Sequence, residues 1–78
     1  MSEHIQSWVR EVAHLAPDAV VRVRDESHCP DPSCPLRRTV IIWADSAGQH
    51  QRISIVKPAA YVRRAEVERA WRLFSLQR

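Results

Sequence analysis

The chain has 78 residues, of which 45% are hydrophobic and 27% are charged, a composition typical of a small globular domain and unlike that of a disordered segment. Its formal net charge of +3 is only mildly basic. The Met1-Ser2-Glu3-His4 start lacks a basic stretch followed by an apolar run, and no apolar run reaches transmembrane length. We therefore expect a cytoplasmic protein that makes no membrane contact.

The predicted elements begin with a helix over residues 3–15, whose apolar residues recur at helical spacing. Val21 and Val23 then alternate with arginines, which predicts a half-buried strand over residues 19–24. A β-branched and apolar run predicts a central strand over residues 39–44. The chain thus changes from helical to strand periodicity within its first third.

After the central strand, the only glycine, Gly48, predicts a hairpin turn. Renewed alternation predicts a third strand over residues 50–56, and helical spacing predicts a second helix over residues 64–76. Between them, residues 58–61 form either a helical turn or a loop, of which we favour the loop. This order predicts an α+β fold over residues 1–78 as one domain. We expect a two-layer α-β-β-β-α sandwich, with a three-stranded, mainly antiparallel sheet and both helices on one face.

The sheet face away from the helices should carry Arg22, Arg24 and Arg52, which occupy the polar positions of the outer strands. The central strand is apolar on both sides, so two sets remain open for this face: Thr39, Ile41 and Trp43, or Val40, Ile42 and Ala44. We expect the arginines, with Trp43 beside them, to contact a protein partner, a second copy or single-stranded nucleic acid. The alternative is that the arginines only cover apolar surface.

The segment from His28 to Pro35 holds both cysteines and three of the five prolines of the chain. Proline fixes φ and removes a backbone donor, so this segment cannot continue a helix or a central strand. It therefore predicts a stiff loop that presents Cys29 and Cys34 at a nearly fixed separation.

One interpretation of the two cysteines is a metal site, with zinc as the first candidate. The ligands would be Cys29 and Cys34 with His28 or His50, completed by Asp31 or water. Because two thiolates are only half of a four-ligand structural site, two chains that pool their cysteines are a further arrangement.

A second interpretation is thiol chemistry, which requires the Cα atoms of Cys29 and Cys34 to lie within about 7 Å. A disulfide would stabilise the fold by about 2 kcal/mol, and Arg37 and Arg38 would lower the pKa of the Cys34 thiol. In a cytoplasmic protein, paired cysteines are more often metal-binding or redox-active than permanently bridged. The third interpretation is that both cysteines only pack as small apolar residues.

The segment Cys29-Pro30-Asp31-Pro32-Ser33-Cys34-Pro35, followed by Thr39-Val40-Ile41 and Lys57-Pro58, resembles short bacterial proteins of unassigned function that share a CPxPxCP core. This resemblance implies a bacterial origin and no particular activity. The α-β-β-β-α order also resembles the double-stranded-RNA-binding domain. The chain lacks that family's basic cluster at the start of the second helix and its glycine-proline-histidine loop.

No Ser/His/Asp set, glycine-rich phosphate loop or facing pair of carboxylates is recognisable, which argues against an enzyme. The leading hypothesis is a non-enzymatic protein whose Cys29/Cys34 loop binds zinc or switches between dithiol and disulfide. Such a protein would act through a protein partner or as a homodimer. The second hypothesis is a nucleic-acid-binding module that uses the arginines of the sheet.

Overall fold

The computed structural model describes residues 2–31, 33–45 and 47–76, so Pro32 of the cysteine segment lies outside the described residues. The elements follow one another in the predicted α-β-β-β-α order. They are helix α1 (Ser2–Val12), strands β1 (Val21–Ser27), β2 (Arg37–Ala44) and β3 (His50–Ile55), a 3₁₀ turn (Ala59–Tyr61) and helix α2 (Arg64–Leu76).

The three strands form one antiparallel sheet in the order β1-β2-β3, which confirms the predicted sheet. Val21 of β1 lies opposite Trp43 of β2, and Ala44 of β2 lies opposite His50 of β3. Successive side chains of a strand point to opposite faces. The register therefore assigns every strand side chain either to the helix side or to the open face, which is the side of the sheet away from the helices.

Both helices pack on the same face of the sheet, as the sequence predicts. One cluster of buried apolar residues lies between the layers: Ile5, Val9, Val21, Ile41, Trp43, Ile53, Ile55, Val62 and Val67. Thr39 is also fully buried on this side, and its hydroxyl donates a hydrogen bond of 2.8 Å to the carbonyl of Lys57. The buried polar group is thereby satisfied, and it ties β2 to the segment that leads into α2.

The register settles which side of the central strand is covered. The side chains of β2 that face the helices are Thr39, Ile41 and Trp43, and those on the open face are Val40, Ile42 and Ala44. Trp43 is only 2% exposed, and its ring lies 5.7 Å from those of both Trp71 and Phe74. The expectation that Trp43 stands beside the arginines is therefore wrong, because its large apolar surface lies where two helices cover it.

Helix α1 ends at Val12, three residues before the predicted end, because His14 adopts a left-handed conformation with φ 56°. The amide of His14 donates to the carbonyl of Glu11 (3.4 Å), and the amide of Leu15 donates to the carbonyl of Arg10 (2.9 Å). These two bonds form the Schellman motif, in which glycine is the preferred residue at the left-handed position. A residue with a Cβ atom is strained there.

Replacing His14 by glycine should therefore raise the free energy of unfolding by about 0.5–1 kcal/mol, because relief of the left-handed strain outweighs the added freedom of the unfolded chain. Urea denaturation followed by circular dichroism measures the change. Ala13→Gly is the matched control, since Ala13 does not have a positive φ and the same change should there destabilise the protein. Equal losses for both variants would contradict the role given to His14.

Strand β1 continues to Ser27, three residues beyond the predicted end, although its last residues are polar. The side chain of Arg37 donates to Asp25 (2.8 Å), and that of Arg38 donates to Glu26 (2.9 Å), across the β1–β2 ladder. Such cross-strand pairs of opposite charge stabilise a sheet. They explain why the two strands extend together past the apolar residues.

Residues 59–61 form a 3₁₀ turn where the sequence predicts a loop. The amide of Tyr61 donates to the carbonyl of Pro58 (2.9 Å), and the amide of Ala59 donates to the carboxylate of Asp25 (3.0 Å). The turn is thus anchored on β1, and α2 then spans residues 64–76 as predicted. Within the described residues, neither helix has the length and apolar character that crossing a bilayer requires.

Candidate functional site: the cysteine hairpin and the open face

The two cysteines lie in the loop between β1 and β2, at one end of the sheet. This cysteine hairpin, residues 28–36, continues the strand ladder, because the amide of His28 donates to the carbonyl of Leu36 (3.0 Å). Nearer its tip, the amide of Cys34 donates to the carbonyl of Asp31 (3.0 Å) and closes a tight turn. Backbone hydrogen bonds thus fix both the base and the tip of the loop.

Side-chain hydrogen bonds support the same backbone. One carboxylate oxygen of Asp31 accepts from the amide (3.0 Å) and from the hydroxyl (2.9 Å) of Ser33, and the hydroxyl of Ser27 donates to the carbonyl of Cys29 (3.0 Å). The bond from the Ser33 amide lowers the pKa of Asp31, so this carboxyl is ionised at neutral pH. The hairpin therefore has stabilising contacts other than those of its sulfur atoms.

Cys29 and Cys34 are joined by a disulfide, with their Cα atoms 6.0 Å apart. Both cysteines are half-buried, while their neighbours His28, Pro30 and Asp31 are exposed. Neither cysteine belongs to the buried apolar cluster between the layers. The bridge therefore lies outside the core, in a partly exposed part of the hairpin.

The predicted metal ligands are only partly brought together. His28 adjoins Cys29 and is exposed, and the carboxylate of Asp31 is hydrogen-bonded within its own turn. His50 lies opposite Ala44, and the length of β2 separates it from the hairpin by roughly 20 Å. Within residues 2–31, 33–45 and 47–76, no three His, Cys, Asp or Glu side chains form a group that could hold a metal ion.

The two arginines that follow Cys34 contact carboxylates across the sheet. The Nε atom of Arg37 lies 2.8 Å from a carboxylate oxygen of Asp25, and the Nη2 atom of Arg38 lies 2.7 Å from a carboxylate oxygen of Glu26. Their charges are compensated by these partners. Cys34 is in the disulfide and has no thiol to titrate, so the effect of these arginines on its pKa stays a prediction for the reduced state.

A second set of candidate residues lies on the open face, around the carboxylate of Glu26. This carboxylate lies 2.7 Å from a guanidinium nitrogen of Arg38, 3.6 Å from one of Arg24 and 3.9 Å from one of Arg52. The three arginines come from three different strands, so only the sheet register brings them together. Arg22 lies on the same face, two residues before Arg24, and forms no ion pair within the described part of the chain.

Near the cysteine hairpin, hydrogen bonds and ion pairs shift the pKa values of two carboxyl groups in the same direction. The hydrogen bond from Arg38 is the main cause that lowers the pKa of Glu26. The hydrogen bond from the amide of Ala59 is the main cause that lowers the pKa of Asp25, and Arg37 adds to it. Both carboxyl groups therefore favour the charged form in the folded protein more than in the unfolded chain.

This shift predicts loss of stability in acid. Because the folded pKa values of Asp25 and Glu26 lie below their ordinary values of 3.8 and 4.5, their contribution is present above these ordinary values and is lost as the pH falls through the folded pKa values. Asp25→Asn and Glu26→Gln should each flatten the decline of the urea midpoint between about pH 4 and pH 2.

Asp18→Asn serves as the control for this pH experiment, because Asp18 is exposed and makes no ion pair with another described residue. Its pH profile should keep the wild-type slope. If Asp18→Asn flattened the decline as much as Asp25→Asn does, the acid dependence would come from overall charge and not from these contacts.

Sequence analysis identified Arg22, Arg24 and Arg52 on this face but missed Glu26 and Arg38. The signal was present, because Glu26 continues the alternation of Arg22 and Arg24 and must share their face. The predicted strand stopped at residue 24 because polar residues follow. Cross-hairpin pairing of opposite charges would have extended it.

The chain thus presents two separate candidate sites, a disulfide in an exposed hairpin and a cluster of arginines on the open face. Both can be described from contacts within the sheet. No family model, curated protein or solved structure matches the chain, so these contacts carry the functional argument alone.

Proposed function

We propose that this chain is a non-enzymatic, redox-responsive protein whose Cys29–Cys34 pair changes between disulfide and dithiol, and that a partner protein binds one of the two states preferentially. The observation that supports it is a disulfide in an exposed hairpin whose backbone also forms hydrogen bonds that do not involve the sulfur atoms. The partner and the cytoplasmic location that the sequence predicts belong to the same proposal. In that compartment a disulfide is typically transient.

Preorganisation of the thiols is the physical reason that the pair can switch. When the bridge is reduced, the hydrogen bonds from His28 to Leu36 and from Cys34 to Asp31 remain available to hold the loop. The two thiols therefore stay close, and closure of the bridge costs less chain entropy than it would in a free peptide. Reoxidation is favoured within the chain over reaction with two separate thiol molecules.

The reaction is a thiol–disulfide exchange and balances with an external thiol pair. Reduction transfers two electrons and two protons from two thiol molecules, such as glutathione, to the Cys29–Cys34 disulfide, and it leaves one external disulfide. The step passes through a mixed disulfide between one cysteine and the external thiol. Oxidation is the reverse reaction, with an external disulfide as the oxidant.

Zinc binding stays a prediction for the reduced state and is less well supported by the geometry. Two thiolates and the adjacent His28 are the nearest donors, and Asp31 is committed to Ser33. The remaining ligands would come from water or a second copy of the chain. Such a site would bind only after reduction, because a disulfide offers no thiolate to the metal.

The test is reaction of the reduced protein with oxidised glutathione, followed by mass spectrometry of acid-quenched samples. The wild type should pass through a short-lived glutathione adduct and end as the intramolecular disulfide, two hydrogens lighter than the dithiol. The matched variants Cys29→Ser and Cys34→Ser should each stop at a stable adduct, because no second thiol resolves it.

A wild-type product that carries glutathione on both cysteines would overturn the proposal, since it would show that the pair does not close. Zinc added to the reduced protein in competition with a chromogenic chelator separates the metal alternative. Zinc retained against the chelator, together with failure to form the intramolecular bridge, would favour a metal site over a redox switch.

A further inference from the structure

The open face has a cleft at the end opposite the cysteine hairpin, where β1 and β3 begin and β2 ends. The cleft has a volume of about 340 Å³, and it is lined by Val20, Arg22, Ile42, Trp43, Ala44 and His50. Val20 is 70% exposed, although it is a large apolar residue. The site therefore combines accessible apolar surface with a guanidinium group.

Arg22 differs from the other arginines of this face in its partners. Arg24, Arg38 and Arg52 share the carboxylate of Glu26, whereas Arg22 has no carboxylate partner among the described residues. A guanidinium group binds carboxylate and phosphate groups through paired hydrogen bonds. Arg22 therefore has donor capacity left for an external anion.

The net positive charge of the chain is concentrated on the open face. Four arginines and one glutamate lie there, which gives this face a formal charge equal to the +3 of the entire chain. The positive and negative charges of the remaining residues of the sequence cancel. An acidic ligand is therefore attracted to this face in particular, and a second copy of the same face is repelled.

The apolar surface is accessible at the cleft and not at the centre of the open face. Val40 lies in the centre and is only 2% exposed, although no helix covers it. Arg24 and Ser54 flank it across the strands, and Arg38 precedes it by two residues on β2, so long arginine side chains shield it. An apolar group of a ligand would therefore contact Ile42 and Val20.

Base stacking, which single-stranded nucleic acid would need, has little aromatic surface on this face. Trp43 borders the cleft, but it is only 2% exposed and its ring packs against those of Trp71 and Phe74 on the helix side. The exposed imidazole of His50 is the ring that remains accessible among the residues lining the cleft. Proteins that hold single-stranded nucleic acid combine basic grooves with aromatic side chains that stack on the bases. The observations therefore favour an acidic polypeptide over a nucleic acid.

We propose that the cleft beside Arg22 is a docking site for an acidic segment of a partner protein. An apolar side chain of that segment lies on Val20, Ile42 and Ala44, and a neighbouring carboxylate pairs with Arg22. The proposal does not depend on the redox function, because the cleft and the disulfide lie at opposite ends of β2.

The experiment uses the full chain and a short fluorescent peptide of glutamate and leucine as probe, with fluorescence anisotropy at low and high salt. We expect binding that weakens with salt and that is weaker for an all-glutamate peptide. Arg22→Glu should reduce affinity by about tenfold or more. Arg72→Glu is the matched control, because Arg72 is exposed on α2 and has no ion pair within the described residues; it should bind as the wild type does.

Circular dichroism of each variant verifies that the fold is kept. Equal loss of binding in Arg22→Glu and Arg72→Glu would overturn the proposal, since it would show attraction by net charge alone. Tighter binding of an oligothymidylate of matched charge than of the peptide would overturn it in favour of a nucleic-acid surface. Unaltered peptide binding by the cysteine variants is expected and separates this site from the proposed redox function.

Discussion

Replacing Trp43 by alanine should lower the free energy of unfolding by about 3–5 kcal/mol. Trp43 is 2% exposed and contacts the rings of Trp71 and Phe74, so the change leaves a cavity between the sheet and α2. A chain of 78 residues has about 4–12 kcal/mol of stability in total. The variant should therefore lose a large part of this stability, and it should unfold if the total lies at the low end of this range; urea denaturation followed by circular dichroism measures the loss.

Trp8→Ala provides the matched comparison, because it removes the same side chain from a half-buried position on α1. Its cost should be clearly smaller. A Trp43→Ala variant as stable as the wild type would show that this tryptophan faces solvent. The assignment of the open face, and with it the placement of the cleft, would then be contradicted.

Removal of the disulfide should lower the free energy of unfolding by about 2 kcal/mol without loss of the fold. The bridge closes a short loop with a sequence separation of 5, and closure of such a loop restricts the unfolded chain by about this amount. The hairpin hydrogen bonds from His28 and Cys34 keep the native loop in place. Cys29→Ser with Cys34→Ser, measured by urea denaturation, tests the magnitude.

Reduction of the wild type by dithiothreitol is the internal control for the disulfide prediction. It should lower the stability by the same amount as the double substitution, and it should leave the double variant unchanged. Complete unfolding on reduction would show that the bridge, and not the hairpin, holds the loop. The pair would then be a structural staple and could not act as a switch in a folded protein.

The layered architecture could be predicted because both periodicities are clear in the sequence. The residues of α2 repeat at helical spacing from residue 64 to residue 76, and the observed helix has these bounds. Helix α1 shows the same spacing up to Leu15, but it ends at Val12 because His14 takes a left-handed conformation. Histidine is enriched in that conformation relative to most residues, but positive φ is uncommon for any residue other than glycine, so the residue type alone does not predict where the helix ends.

The face of the central strand could not be predicted, because β2 is apolar on both sides. The two faces are distinguished only by the register with β1, which sets Trp43 opposite Val21 on the helix side. This single pairing moved Trp43 from the expected contact surface into the core. It also left Val40 and Ile42 among the arginines.

The two candidate sites differ in whether their residues are close together in the sequence. Cys29 and Cys34 are close in sequence, so their pairing follows from a stiff short loop. The contacts of Glu26 with arginines from three strands depend on the whole sheet, as does the separation of His50 from the cysteines. The short-range sequence pattern therefore predicts the cysteine pair, whereas the contacts of Glu26 and the position of His50 depend on how the strands pair.

The central claim is that the cysteine pair changes state while the protein stays folded. Its most direct test is equilibration in a series of glutathione redox buffers, with thiol alkylation and mass spectrometry for the sulfur state and circular dichroism for the fold. We predict one reversible two-electron transition, complete within the series, with the same secondary structure at both ends. A bridge that never forms, or one that is reduced only as the protein unfolds, would contradict the account.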